Sequence, residues 1–96
     1  MSKLVAAAIG FVSIAAAGVV SGEPPAGAAA CSGCHPASTR VASPVLRLAG
    51  LDRVAIVKAV QDFRSGQRAA TVMDRIAKGF TDEEIQAIAA WYATQR

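Results

Sequence analysis

The sequence has few of the residues that bind metal ions or build disulfide frameworks. Its 96 residues include two cysteines and one histidine, and aromatic residues make up only 5%. A structural zinc site takes four protein ligands, so these residues are too few to complete one. The chain also lacks internal repeats and the polar–apolar alternation that is typical of strands. One small domain without a sheet is therefore the expected architecture.

Charge of either sign is sparse and dispersed. Ten Lys and Arg residues against seven Asp and Glu residues give a formal net charge of +3. A nucleic-acid-binding protein concentrates its basic residues in a patch or stripe. We therefore expect a solvated surface and no nucleic-acid partner, because the basic residues are spread along the chain: Arg40, Arg47, Arg53, Lys58, Arg64, Arg68, Arg75 and Lys78.

The first 22 residues have the pattern of a secretory signal peptide. Lys3 provides the positive charge, residues 4–20 carry no charge, and small residues follow that permit cleavage near residue 22 or as late as residue 28. The alternative is an uncleaved membrane anchor, although the apolar run is slightly shorter than the roughly 20 residues of a spanning helix. We expect an exported, periplasmic domain over residues 23–96, with membrane contact only if the signal is not cleaved.

The most informative stretch is the C-x-x-C-H motif formed by Cys31, Cys34 and His35. This spacing is the attachment signature of a c-type haem. Two thiols on one helical turn can each add to a vinyl group of the same porphyrin, and the histidine can then bind the iron axially. No second motif is present, so one covalent haem c is predicted. A dithiol redox pair is the alternative, but it is expected in a βαβ setting that the sequence does not show.

Met73 is the only methionine besides the initiator. Its thioether is a soft ligand that suits haem iron, and a Met/His pair raises the reduction potential. The sequence therefore predicts Met73 as the second axial ligand, although a methionine more often fills a gap in the core.

The remaining pattern predicts an all-α fold of short helices around one covalent haem. Apolar residues recur at helical spacing in two segments, each with a start signal at its N-terminus. Two long helices are expected. The first runs from Asp52 to Gly66 with Ile56, Ala59, Val60 and Phe63 on one face, and the second starts at the Thr81–Glu84 capping box with Ile85, Ile88, Ala89 and Tyr92 on its buried face. The shorter expected elements are a helix over 26–34, a helical turn over 45–50 and a turn over 75–79. Trp91 lies beside that last stripe and is expected in the core.

The loop over 36–44 has a predicted role beside the haem. An axial histidine usually donates its second ring N–H to a carbonyl or a carboxylate, which fixes its orientation. We expect the carbonyl of Ser43 or Pro44 to accept this hydrogen bond from His35. A plain surface turn is the equally open alternative.

The order of these features resembles a small class I cytochrome c. Two stretches have the sequences DFRSG at 62–66 and TVMDRIAKGFT at 71–81. They resemble the cytochrome subunit of flavocytochrome c sulfide dehydrogenase, in which the corresponding sequences are close to FKSG and TIMGRIAKGY. The loop after His35 is shorter than in that family. The resemblance implies that Cys31 and Cys34 are the thioether sites and that His35 and Met73 are the axial ligands.

The same resemblance implies a function in electron transfer. The chain would accept electrons from an FAD-containing flavoprotein that oxidises sulfide and would pass them to other redox proteins, without being catalytic alone. The alternative is a free periplasmic monohaem cytochrome c that carries electrons between redox complexes.

Overall fold

The computed structural model describes Gly10 and residues 22–96. This part of the chain contains four helices, α1 (Ala28–Ser32), α2 (Arg53–Ser65), α3 (Met73–Ala77) and α4 (Asp82–Ala93), and no strand. The all-α prediction is confirmed. Apart from Gly10 and Gly22, the predicted signal peptide lies outside the described residues. None of the helices described here is long and apolar enough to cross a membrane.

Both long helices begin at the caps that the sequence predicts. The Asp52 carboxylate accepts the N–H of Ala55 at 3.0 Å at the start of α2. At the start of α4, the Thr81 hydroxyl accepts the N–H of Glu84 at 3.2 Å, and the Glu84 carboxylate accepts the N–H of Thr81 at 3.0 Å. These side chains satisfy backbone donors that a helix leaves free in its first turn.

The core forms where α4 packs against α1 and α2. The predicted α4 stripe is buried in full, and Tyr92 is 0% exposed. Its hydroxyl donates to the carbonyl oxygen of Ala28 at 2.7 Å, which joins α4 to α1. Trp91 packs edge-on against Tyr92, with ring centroids 4.8 Å apart, but it remains partly exposed. The prediction for Trp91 therefore holds only in part.

Gly27 allows α1 to lie close to the segment between α3 and α4. Its φ of 89° is in the left-handed region that favours glycine. A Cβ atom at this position would lie 2.6 Å from a ring carbon of Phe80 and 3.1 Å from a methyl of Ile88. Both the backbone conformation and the available space therefore require glycine here.

Three predicted boundaries are corrected. Helix α1 covers only Ala28–Ser32, and α3 starts at Met73 rather than Arg75 because the carbonyl of Val72 already accepts the N–H of Ile76 at 3.1 Å. Residues 45–48 are irregular, and a turn is confined to residues 49–50. In this loop the carbonyl of Leu46 accepts a hydrogen bond from the His35 side chain, and the Arg47 side chain donates to the carbonyl of Thr39.

Candidate haem site

The C-x-x-C-H motif folds as one continuous turn at the end of α1. The carbonyl oxygen of Cys31 accepts the N–H of Cys34 at 3.2 Å and the N–H of His35 at 2.8 Å. Cys31 is partly buried, Cys34 is exposed and His35 is partly buried. The two thiols and the imidazole therefore come from a single compact turn, as the motif predicts.

His35 is oriented by a backbone carbonyl, but not by one of the two predicted. Its Nδ1 lies 2.5 Å from the carbonyl oxygen of Leu46. The prediction that the carbonyl of Ser43 or Pro44 would accept this bond is therefore wrong. The Ser43 hydroxyl accepts the N–H of Val45 at 3.1 Å. This contact closes a local turn over 43–45, and the carbonyl that follows it meets the imidazole.

This hydrogen bond selects the tautomer of His35. A carbonyl oxygen can only accept, so Nδ1 carries the proton. The neutral ring then has its free lone pair on Nε2, which is the nitrogen left available to a metal ion.

Residues of all four helices and of the loop before α2 line a cavity of about 820 Å³. Cys31, Cys34, His35 and Met73 all line it. The predicted apolar face of α2 lines it as well, through Ile56, Ala59, Val60 and Phe63. Ligand cavities in proteins usually measure about 300–1,000 Å³ and have mostly apolar walls with a few polar groups. The structure thus brings the four predicted site residues to one apolar cavity.

Two charged residues line this cavity. Asp52 uses its carboxylate to cap α2, so that group already has a partner. Arg68 is the only cation among the lining residues of the described chain, and its guanidinium carbon lies 4.9 Å from the centroid of the Phe63 ring. A cation held over an aromatic ring at an apolar cavity suits a ligand with a flat apolar body and anionic groups.

The partly buried Cys31 thiol has a raised pKa. Burial raises the pKa of Cys31 above its ordinary value, and a backbone hydrogen bond only partly opposes this change. Catalytic dithiols instead have a lowered thiol pKa, because the thiolate is the nucleophile. Residues 22–96 also contain no strand, so the βαβ setting that a dithiol redox pair is expected to have is not found among them.

Two residues near the site differ from their sequence interpretation. Arg64 was expected on a solvated surface, but its side chain is only 29% exposed and donates to Ala77, Phe80 and Asp82. Leu46 contributes its carbonyl to His35, although its own side chain is 62% exposed. Neither role has a sequence signal. The role of Arg64 depends on how α2 packs against α3, and the role of Leu46 depends on the conformation of its loop.

An all-α domain in which a C-x-x-C-H turn and a methionine line one apolar cavity has the architecture of a small c-type cytochrome. No protein family model matches the chain. Two curated proteins are similar to it. The cytochrome subunit of sulfide dehydrogenase from Chlorobaculum tepidum is 40% identical over 62 residues, which cover 65% of this chain and 56% of that protein. The thiosulfate dehydrogenase electron acceptor from Stutzerimonas stutzeri is 44% identical over 65 residues, which cover 66% of this chain and 30% of that protein.

These relatives confirm the resemblance to c-type cytochromes that the sequence predicts, and the resemblance implies haem. The chain spans just over half the length of the sulfide dehydrogenase subunit and less than a third of the thiosulfate dehydrogenase acceptor.

Proposed function

We propose that this chain transfers electrons through one covalently attached haem c. Cys31 and Cys34 would hold the porphyrin as thioethers, and His35 and Met73 would bind the iron. The convergence of these four side chains on one apolar cavity of about 820 Å³ carries the proposal.

The residues of the cavity fit this group in three respects. Two thiols, one imidazole and one thioether form the donor set of a c-type haem with Met/His ligation. The apolar face of α2 offers a wall for the porphyrin ring, which a domain this small needs to complete its core. Arg68 offers a positive charge for a propionate carboxylate.

Each protein group has a distinct task in this proposal. Each thiol would add its sulfur and its hydrogen across one vinyl double bond, so that a thioether would form without a leaving group. The Leu46 carbonyl keeps the His35 proton on Nδ1 and leaves Nε2 to face the iron. The haem supplies one-electron redox chemistry, and Met73 favours the reduced state, which raises the potential.

The proposed electron donor is a flavoprotein that oxidises sulfide. The relative from Chlorobaculum tepidum, a sulfide dehydrogenase subunit, supports this partner. A two-electron oxidation of sulfide at a flavin would reduce this chain one electron at a time, and other redox proteins would then accept those electrons. An FAD-containing subunit and a periplasmic location, reached through the signal over residues 1–22, belong to the same proposal.

A second candidate function is a free electron shuttle. The relative from Stutzerimonas stutzeri is named as a thiosulfate dehydrogenase electron acceptor, and an acceptor that serves another redox enzyme supports this candidate. A shuttle should meet its partners through a small contact area with charge-dependent association, whereas a permanent subunit buries a larger apolar interface.

Gel filtration of native extract, with haem and flavin absorbance recorded together, separates the two functions. Co-elution that survives moderate salt, with sulfide reducing the haem only in that fraction, is the result expected for a flavoprotein subunit. Haem that elutes at the size of the small domain and does not respond to sulfide after fractions are recombined would favour the shuttle.

A further inference from the structure

Arg64, in the last turn of α2, binds the segment that follows Met73 at three points. Its Nε donates to the carbonyl of Ala77 at 3.3 Å, and its Nη2 donates to the carbonyl of Phe80 at 2.8 Å. Its Nη1 donates to the carboxylate of Asp82 at 2.5 Å. One guanidinium thus holds the last residue of α3, the connection to α4 and the first residue of α4.

Helix α3 has little support of its own. It has five residues, whereas isolated helices shorter than about 12–15 residues are marginal in water. Val72 precedes it without a side-chain cap, and one buried oxygen of Asp74 has no hydrogen-bond partner. Among the hydrogen bonds of residues 22–96, those from Arg64 are the only ones that join the segment 72–80 to another helix.

The Arg64 contacts bear directly on the cavity. Ala77 and Phe80, whose carbonyls it holds, line the same cavity as Met73. Phe63, the neighbour of Arg64 on α2, lines it too. The guanidinium therefore fixes how far the methionine-bearing helix lies from the wall that α2 contributes.

We propose that Arg64 is a positioning residue that keeps the Met73 sulfur seated on the haem iron. This inference rests on the proposed function, in which Met73 is an axial ligand. Without Arg64, α3 keeps its packing against α2 through the buried Ala77 but loses the hydrogen bonds that fix its position. The Met73–iron bond is the contact most sensitive to the added motion. The Met73 thioether then dissociates from the iron more often, and an external ligand competes with it for the iron. This exchange of ligands transfers no electron and breaks no covalent bond to the porphyrin.

The test is the affinity of the ferric holoprotein for imidazole, recorded together with the near-infrared charge-transfer band of Met–iron ligation. Arg64→Gln is expected to raise the imidazole affinity roughly tenfold, equivalent to about 1.4 kcal/mol. It should weaken the band while the haem stays covalently attached. Arg64→Lys should give an intermediate affinity, because one ammonium cannot reach three separate acceptors.

Three control variants separate positioning from other effects. Arg53→Gln makes the same charge change at an exposed position on α2 and should match the wild type. Asp82→Asn removes the ion pair but keeps both carbonyl contacts, so it should change the affinity far less than Arg64→Gln. Tyr92→Phe lowers the stability of the fold at the contact between α4 and α1, and should leave the imidazole affinity unchanged.

The outcomes distinguish this inference from the proposed function. If wild-type protein has no Met–iron band and binds imidazole as tightly as Met73→Ala, the proposed ligation itself is wrong. If the wild type has the band, the positioning role is tested by Arg64→Gln. The role is wrong if this variant keeps the band and binds imidazole no more tightly than Arg53→Gln does. Should Arg64→Gln fail to fold, Arg64→Lys decides: raised imidazole affinity supports the role, and wild-type affinity overturns it.

Discussion

The Nδ1 atom of His35 lies 2.5 Å from the carbonyl oxygen of Leu46, and this contact connects the C-x-x-C-H turn to the loop before α2. The loop thereby acts on the proposed proximal ligand through its backbone. Because the carbonyl can only accept, it fixes the Nδ1–H tautomer and directs Nε2 towards a metal ion.

The first prediction concerns this proton. In the reduced holoprotein, the Nδ1–H of His35 should exchange slowly with water and show NMR cross-peaks to Leu46. Its hydrogen bond protects it, and the other ring nitrogen is occupied by the iron. Rapid exchange, or contacts to Ser43 or Pro44 instead, would contradict the assignment.

Replacing the proposed distal ligand is the second prediction. Met73→Ala should retain the attached haem, lower the reduction potential and let carbon monoxide or cyanide bind, because the soft sixth ligand is lost. The near-infrared Met–iron band of the ferric protein should vanish. Val54→Ala, at an exposed position on α2 outside the cavity lining, serves as the control and should keep the band. An unchanged spectrum in Met73→Ala would show that another group is the ligand.

A third prediction concerns the charge at the cavity. Arg68→Gln should lower the reduction potential, since a nearby positive charge favours the reduced state of the iron. Arg40→Gln makes the same change in net charge away from the cavity lining and should have a smaller effect. The two potentials are compared by redox titration at low salt, and equal shifts would exclude a specific role for Arg68.

The buried hydroxyl of Tyr92 gives a prediction with a pH dependence. Burial is the largest cause that raises the pKa of Tyr92 from 10.0 to about 12. A raised folded-state pKa contributes stability that is present below pH 10 and is lost as the pH rises from 10 through 12. At neutral pH, Tyr92→Phe should cost about 1–2 kcal/mol, because the bond to Ala28 is lost.

Denaturant unfolding at several pH values tests this dependence. The difference between wild type and Tyr92→Phe should hold steady from pH 7 to 9 and then shrink above pH 10. A difference that does not change up to pH 12 would mean that the Tyr92 hydroxyl titrates normally in the folded state.

Gly27 gives a prediction about packing. Gly27→Ala should lower the unfolding free energy by about 2–4 kcal/mol, because it combines a left-handed backbone with a clash against Phe80. Gly66 has a similar φ of 81° but no atom near a Cβ position, so Gly66→Ala isolates the backbone cost at about 1 kcal/mol. Equal losses in the two variants would show that the clash relaxes freely.

Features governed by local sequence could be predicted. The caps at Asp52 and Thr81 need only a side chain and a backbone N–H a few residues away. The apolar faces of α2 and α4 follow from helical periodicity. The grouping of Cys31, Cys34 and His35 follows from their spacing.

Features set by tertiary packing could not be predicted from the sequence. Which backbone carbonyl accepts the hydrogen bond from His35 depends on the conformation of the chain after the 43–45 turn. The burial of Arg64 depends on the approach of α2 to the segment 77–82, and nothing in the neighbouring sequence distinguishes it from an exposed arginine such as Arg53. Helix α3 starts at Met73 because the backbone N–H of Ile76 donates to the carbonyl of Val72, and helix propensity does not reveal this hydrogen bond.

Covalent attachment of the haem is tested by the intact mass of the purified protein under denaturing conditions, with fragmentation to locate any addition. We expect one haem per chain, retained after denaturation and mapped to a peptide that contains Cys31 and Cys34. A chain that carries no haem after denaturation, with these cysteines as free thiols or as a disulfide, would contradict it.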